Sequence, residues 1–148
     1  MQIIKAESFP SQPKYLGIHD INVGVRVSLK SQVIDRKLER LRSTKGVEGC
    51  AVITVEGLPI SSFLPLDIPT EKVSAMCVAA LSVAKQINRE LNRGEFDMQI
   101  VKGSEGYTII MSAGRNSVLV TLTERDALLG LVYMEAKKVA RELAEILG

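Results

Sequence analysis

The sequence has 148 residues, of which 46% are hydrophobic and 24% are charged. These proportions are those of an ordinary globular chain with a single core, and they exclude bulk disorder and fibrous repeats. The formal net charge is only +2, from 19 basic and 17 acidic residues. A net charge this small does not create the positive field that attracts nucleic acid or an anionic membrane. We therefore expect no nucleic-acid partner.

The N-terminal residues 1–29 are predicted to form an arm outside the main domain. Glu7–Lys14 contains two prolines and two serines, a composition typical of irregular chain. In residues 21–29, isoleucine, valine and leucine alternate with more polar residues, which predicts an extra strand with one buried face. The sequence leaves open whether this strand pairs with its own sheet or with the edge of a partner's sheet.

No segment is expected to insert in a membrane. Met1–Lys5 lacks the apolar core of a secretory signal. The most apolar segment, Val73–Ala84, is shorter than the roughly 20 residues that a membrane-spanning helix needs.

Residues 30–148 are predicted to form one domain of alternating helices and hairpins. A tight turn at Glu56 and Gly57 is expected to join the first two strands, since glycine tolerates the positive φ that such turns require. Thr123 and Asp126 have the spacing of a helix start signal. The predicted order is helix 30–43, strands 47–55 and 58–63, helix 69–91, strands 96–101, 107–112 and 117–122, and a last helix after Thr123. This order indicates an α+β sandwich, a sheet with helices on its faces.

The first three to four turns of the second predicted helix are apolar nearly all round, which is unusual for a small domain. One sector is suited to packing on the sheet and contains Val73, Cys77, Ala80, Ala84, Ile87 and Leu91. The opposite sector contains Ala75, Val78, Ala79 and Ser82 where polar residues are expected. Such a surface must be covered, and small side chains allow two helices to approach closely. A symmetric dimer is the favoured interpretation, and folding back of the N-terminal arm over this surface is the alternative.

Several segments together resemble the Roadblock family, the dynein light-chain type. They are Gly46–Gly49 before a strand, Gly57–Ile60 after it, the apolar helix around Ala79, the glycine-punctuated run of three strands, and Leu128–Leu131 in the last helix. The resemblance covers roughly residues 31–148. It implies a Roadblock/profilin-like fold, in which a five-stranded antiparallel sheet is sandwiched by helices, the second on one face and the first and last on the other.

The resemblance also implies partners. Members of the family dimerise through the second helix and the edge strand that follows it, so the expected dimer interface is Ala75, Val78, Ala79, Ser82, Met98 and Ile100. Prokaryotic members resemble regulators of Ras-like small GTPases, and other relatives are scaffolds on motors or on membrane-bound GTPase complexes. The chain is accordingly expected to be a cytoplasmic homodimeric adaptor that regulates a small GTPase.

Catalysis is not expected. The chain has one histidine, His19, and it lies in the arm, so a histidine-based catalytic or metal cluster is improbable. No phosphate-loop motif is present, and Glu48, Glu56 and Glu105 are interpreted as carboxylates near turns. Cys50 and Cys77 lie in apolar runs and suit a reducing compartment. We therefore expect no catalytic residues, no cofactor and no metal. A small-molecule sensor with a pocket between sheet and helix is the alternative function.

Overall fold

The computed structural model describes the backbone of residues 18–148 and the side chains of residues 29–148. The predicted irregular segment Glu7–Lys14 lies outside the described residues. By their contacts the residues divide into two units, Met1–Ser31 and Gln32–Gly148, and the second unit contains the whole sheet. The elements are α1 (Ile18–Arg42), β1 (Val47–Thr54), β2 (Pro59–Phe63), α2 (Thr70–Glu90), β3 (Met98–Gly103), β4 (Gly106–Ser112), β5 (Ser117–Thr123) and α3 (Leu129–Leu147).

The five strands form one antiparallel sheet in the order β2-β1-β5-β4-β3. The predicted fold class is confirmed, because the order of helices and strands along the chain is also the predicted one. β1 and β2 are joined by residues 55–58, a longer connection than the two-residue turn predicted at Glu56 and Gly57, but Gly57 has the expected positive φ, 99°. The two edge strands are β2 and β3, and each has one side without a neighbouring strand in this sheet.

Two apolar layers cover the two faces of the sheet. On one face, side chains of α1 and α3 pack with alternate residues of the central strands, including Cys50, Val52, Ile109 and Leu119. On the other face, Val73, Cys77 and Leu81 of α2 pack with Ile53, Ile110, Val118 and Val120. The period-two alternation of strand residues thus divides each central strand between two cores.

An ion-pair cluster links α1 to α3 at the surface. Lys37 Nζ and Arg40 Nη2 lie 3.0 and 2.8 Å from one carboxylate oxygen of Glu142. Desolvation by partial burial opposes ionisation of this carboxyl, but the hydrogen bonds and charges of the two cations outweigh it and lower the pKa of Glu142. Because the carboxylate is partly exposed, the cluster contributes little to stability.

The predicted strand at residues 21–29 is wrong, since these residues lie within α1. The alternating pattern over 21–29 also contains apolar residues at 21, 25 and 29, and this spacing of four is a helical stripe that Val33 continues. No proline separates the segment from the helix that follows. The sequence of residues 21–29 therefore fits both the two-residue period of a strand and the period of a helix. These residues are helical because they are continuous with the helix that follows.

The predicted start of the last helix is also wrong. Thr123 is the last residue of β5, and α3 begins at Leu129 without a side-chain cap. The Thr123 hydroxyl instead accepts a hydrogen bond from the Tyr107 amide and donates one to the Glu124 carbonyl. Because the Thr123 hydroxyl is already hydrogen-bonded at the end of the sheet, it is not available to cap a helix.

Gly106 is required at the start of β4, and its replacement by alanine should destabilise the fold. Its φ is 155°, and a Cβ atom there would lie 2.0 Å from the carbonyl oxygen of Thr123. We expect Gly106→Ala to lower the free energy of unfolding by roughly 2–3 kcal/mol in urea titrations. Gly103→Ala is the matched control, because its Cβ would meet nothing closer than 3.6 Å. Equal stabilities of the two variants would contradict this account of the hairpin.

Candidate self-association surface

The outward side of α2 is an exposed apolar surface in the described part of the chain. Ala75, Ala79 and Ser82 are exposed, and Val78 is half-buried. Successive residues of a helix are rotated by roughly 100°. On this geometry, further exposed apolar side chains lie beside the outward side, on one flank of α2. This flank contains Met76, Val83 and Ile87, whose exposed fractions are 58%, 60% and 49%. Large apolar groups in one continuous exposed sector are typical of a protein-interaction surface.

The exposed apolar surface of α2 extends over residues that the sequence assigned to the side facing the sheet. Ile87 and Leu91 were expected to pack on the sheet, but both are exposed. The apolar layer beneath α2 ends with Leu81 and the half-buried Ala80, so the last turns of the helix extend past it. Met76 was not predicted and Ile87 was assigned to the sheet side, although both occur at helical spacing with Val83, and that spacing was the available signal.

β3 adds an open sheet edge to the candidate surface. It pairs with β4 on one side and is the last strand of the sheet. Its side chains are partly or fully exposed, with Ile100 at 39% and Val101 at 50%. An edge strand of six residues that lacks proline presents free amide and carbonyl groups to any strand that can pair with it.

The structure separates the two groups of predicted interface side chains. Met98 and Ile100 pair with Met111 and Ile109, which belong to the core under α1 and α3. Directly opposed residues point to the same face of a sheet, so these two side chains lie on the face opposite α2. Gln99 and Val101 are the β3 residues on the α2 side, since Gln99 pairs with Ile110 of the core under α2.

The backbones of Met98 and Ile100 nevertheless face the open edge. The amide of Ser112 donates to the carbonyl of Asp97 at 2.9 Å, which identifies this pair as hydrogen-bonded. In antiparallel strands hydrogen-bonded and non-bonded pairs alternate. Residues 99, 101 and 103 therefore bond to β4, while the amides and carbonyls of residues 98, 100 and 102 point away from it. A second strand would bond to these outward groups.

No metal-binding cluster occurs among the side chains that the structure describes. Cys50 and Cys77 are both free and buried. The Cys50 Sγ donates a hydrogen bond to the Leu38 carbonyl at 3.2 Å, and burial raises the pKa of Cys50 to about 12 against a lowering influence of Arg42. Burial also raises the pKa of Cys77. Within residues 18–148, no helix is both long and apolar enough to span a membrane.

Both thiols should therefore be unreactive in the folded protein. A chromogenic disulfide reagent should modify neither cysteine until the chain unfolds, because the reactive thiolate is disfavoured by burial. The pKa of Cys50 is 9.0 in the unfolded chain and about 12 in the folded protein, so between these pH values only the unfolded chain loses the thiol proton. The free energy of unfolding should therefore fall as the pH rises from 9.0 towards about 12. Prompt reaction of either cysteine with the native protein at mildly alkaline pH would contradict the prediction.

A family model for the Roadblock/LC7 domain matches residues 33–123. The chain belongs to the Roadblock/LC7 family. A curated relative is the uncharacterized protein MJ1340 of Methanocaldococcus jannaschii, which is 34% identical over 111 residues, covering 75% of this chain and 96% of the relative. A second protein of that organism, MJ0310, matches with the same identity and coverage.

Three solved structures, one of which is a Roadblock/LC7 domain, have a fold similar to that of this chain. Myxococcus xanthus MglB superposes with a TM-score of 0.74 at 22% identity, over 78% of this chain and 88% of MglB. A Roadblock/LC7 domain from Streptomyces avermitilis gives 0.71 at 16% identity, over 76% and 96% of the two chains. LokiProfilin1, from its complex with rabbit actin, gives 0.56 at 14% identity, over 78% and 97%. These similarities confirm the predicted Roadblock/profilin-like architecture.

Proposed function

We propose that this Roadblock/LC7 protein is a homodimeric cytoplasmic adaptor that binds and regulates a Ras-like small GTPase without contributing a catalytic residue. The observation that carries the proposal is the exposed apolar side of α2 together with the open edge of β3. Both are features that a second copy of the chain can cover through one self-complementary contact.

The dimer contact uses two kinds of interaction. Ala75, Ala79 and Ser82 have short side chains, which permit close approach of two α2 helices related by a two-fold axis. The larger Met76 and Val83 then supply apolar area on the flank of that contact. The outward amides of β3 pair with the same strand of the second copy, which extends the sheet across both subunits.

Dimerisation is tested by sedimentation equilibrium of the purified chain. We expect a dimer at micromolar concentration. A monomer under these conditions contradicts the proposed contact, and a dimer in which the exchange protection of the α2 amides does not rise with protein concentration places the contact elsewhere.

The regulatory role follows from family membership and from the character of the surfaces. Roadblock proteins of prokaryotes resemble regulators of Ras-like GTPases, and the chain has no phosphate-loop motif of its own. Its buried thiols, with raised pKa values, are not placed for nucleophilic chemistry. An adaptor acts by stabilising one conformation of the GTPase's nucleotide-binding segments, which alters hydrolysis or exchange through differential affinity.

The GTPase hypothesis is tested with purified Ras-like GTPases from the same organism. Rates of GTP hydrolysis and of nucleotide release are measured with and without this protein, each GTPase being loaded with GDP or with GTP. We expect at least one GTPase to bind with a preference for one nucleotide state and to change one rate by about tenfold, equivalent to about 1.4 kcal/mol. Absence of binding to every such GTPase, by a protein that is verified as dimeric, contradicts regulation and leaves dimerisation intact.

A further inference from the structure

A cleft lies between the second half of α2 and the turns at one end of the sheet. Its volume is about 570 Å³, within the range of about 300–1,000 Å³ that small-molecule sites occupy. Its apolar part is formed by Val55, Leu81, Phe96 and Val118. Leu81 and Val118 are buried core residues, so this part of the cleft rests on the packed sheet.

The polar part of the cleft is predominantly cationic. Lys85 and Arg89 come from α2, Arg115 comes from the turn between β4 and β5, and Glu95 is the one carboxylate in the lining. Among the described residues, none of these three cations takes part in an ion pair. The lining also contains four uncharged hydrogen-bonding side chains, those of Asn88, Asn92, Ser112 and Ser117.

Three cations from two separate elements, beside an apolar floor, suit a ligand that has both an anionic group and an apolar body. We propose that the cleft binds a small organic anion. The apolar body of the ligand lies over Leu81, Phe96 and Val118, and its anionic group contacts Lys85, Arg89 and Arg115. Arginine donates paired hydrogen bonds to phosphate or carboxylate oxygens, and two arginines in the lining of one cavity suit either group.

This cleft shares no residue with the proposed dimer contact. Lys85 and Arg89 lie on the flank of α2 opposite the one that contains Met76, Val83 and Ile87, given roughly 100° per residue. The cleft-lining residues of the β4–β5 turn lie on an element that the dimer proposal does not use. Ser82 of the dimer contact precedes Lys85 by three positions, about one helical turn, so the two surfaces are neighbours on α2.

Sequence reasoning missed the cleft because its polar groups are not a motif. Ser112 and Arg115 are 24 or more positions from Asn88 along the chain, and the fold alone brings their elements together. The apolar stripe of α2 contributes only Leu81 to the floor of the cleft.

The test is an NMR titration of the full chain, labelled with ¹⁵N, with three probes. Phenyl phosphate carries both the apolar body and the anionic group, inorganic phosphate carries only the anion, and benzyl alcohol carries only the ring. We expect saturable shifts for phenyl phosphate at the amides of Gly94, Phe96 and Gly114, and at least about tenfold weaker binding of the other two probes. Benzoate in a parallel titration distinguishes carboxylate from phosphate ligands.

Variants identify the groups responsible. The double variant Arg89→Gln/Arg115→Gln removes two cations at exposed positions, and we expect it to weaken phenyl phosphate binding about tenfold or more. Arg125→Gln is the control, because Arg125 is an exposed cation outside the cleft. The proposal is overturned if no probe gives saturable shifts, if inorganic phosphate binds as tightly as phenyl phosphate, or if the double variant and the control bind equally well.

Discussion

Ala79→Glu should convert the dimer into folded monomers. Ala79 is exposed on α2, so a glutamate there remains solvated in the single subunit and leaves its core unchanged. In the proposed dimer the two glutamates meet near the two-fold axis, where each becomes a buried charge without a partner. A cost of about 3–5 kcal/mol for such a charge corresponds to a dissociation constant at least about 100-fold higher.

The measurement is sedimentation equilibrium over a range of concentrations, with the free energy of unfolding measured in parallel. Met134→Glu is the matched control. Met134 is also apolar, helical and 64% exposed, but it belongs to α3 on the other side of the sheet. We expect this control to remain dimeric. If Ala79→Glu is as dimeric as the control, α2 is not the contact.

The same variant links the dimer to its proposed activity. If the GTPase binds across both subunits, Ala79→Glu should lose the rate effect on the GTPase while Met134→Glu retains it. A monomeric variant with full activity would mean that one subunit contains the whole GTPase-binding surface.

The sheet and its cores were predictable because local signals agreed with the tertiary structure. Alternating apolar residues in the central strands, such as Ile109 and Ile110 on opposite faces, required cover on both sides. Gly57 in a turn fixed the first hairpin. At these positions periodicity, turn chemistry and burial all favour one arrangement.

The errors occurred where two local signals competed or where tertiary context decided. Residues 21–29 fit both a strand and a helix. Thr123 is a suitable helix cap by type, but its hydroxyl is used within the sheet. The direction of the Met98 and Ile100 side chains depends on the pairing of β3 with β4, and a shift of one residue in that register would reverse it.

The backbone direction of Ile100 yields the sharpest test of the edge contact. Its amide points away from β4, so proline at this position removes no hydrogen bond within the subunit. In the extended sheet that amide donates to the second copy, and by two-fold symmetry Ile100→Pro deletes two such bonds. At about 1 kcal/mol each, the dissociation constant should rise at least about tenfold relative to Ile100→Ala, which loses the side chain but keeps the amide.

Val101→Pro tests the register itself. The Val101 amide bonds to β4 by the alternation of the ladder, so proline there should lower the free energy of unfolding by about 3 kcal/mol. Unfolding is measured in the Ala79→Glu background, where stability no longer depends on protein concentration. Ile100→Pro in that background should be nearly as stable as Ile100→Ala. If proline is instead tolerated at 101 and destabilising at 100, the alternation is reversed, and the outward amides of β3 belong to residues 99 and 101.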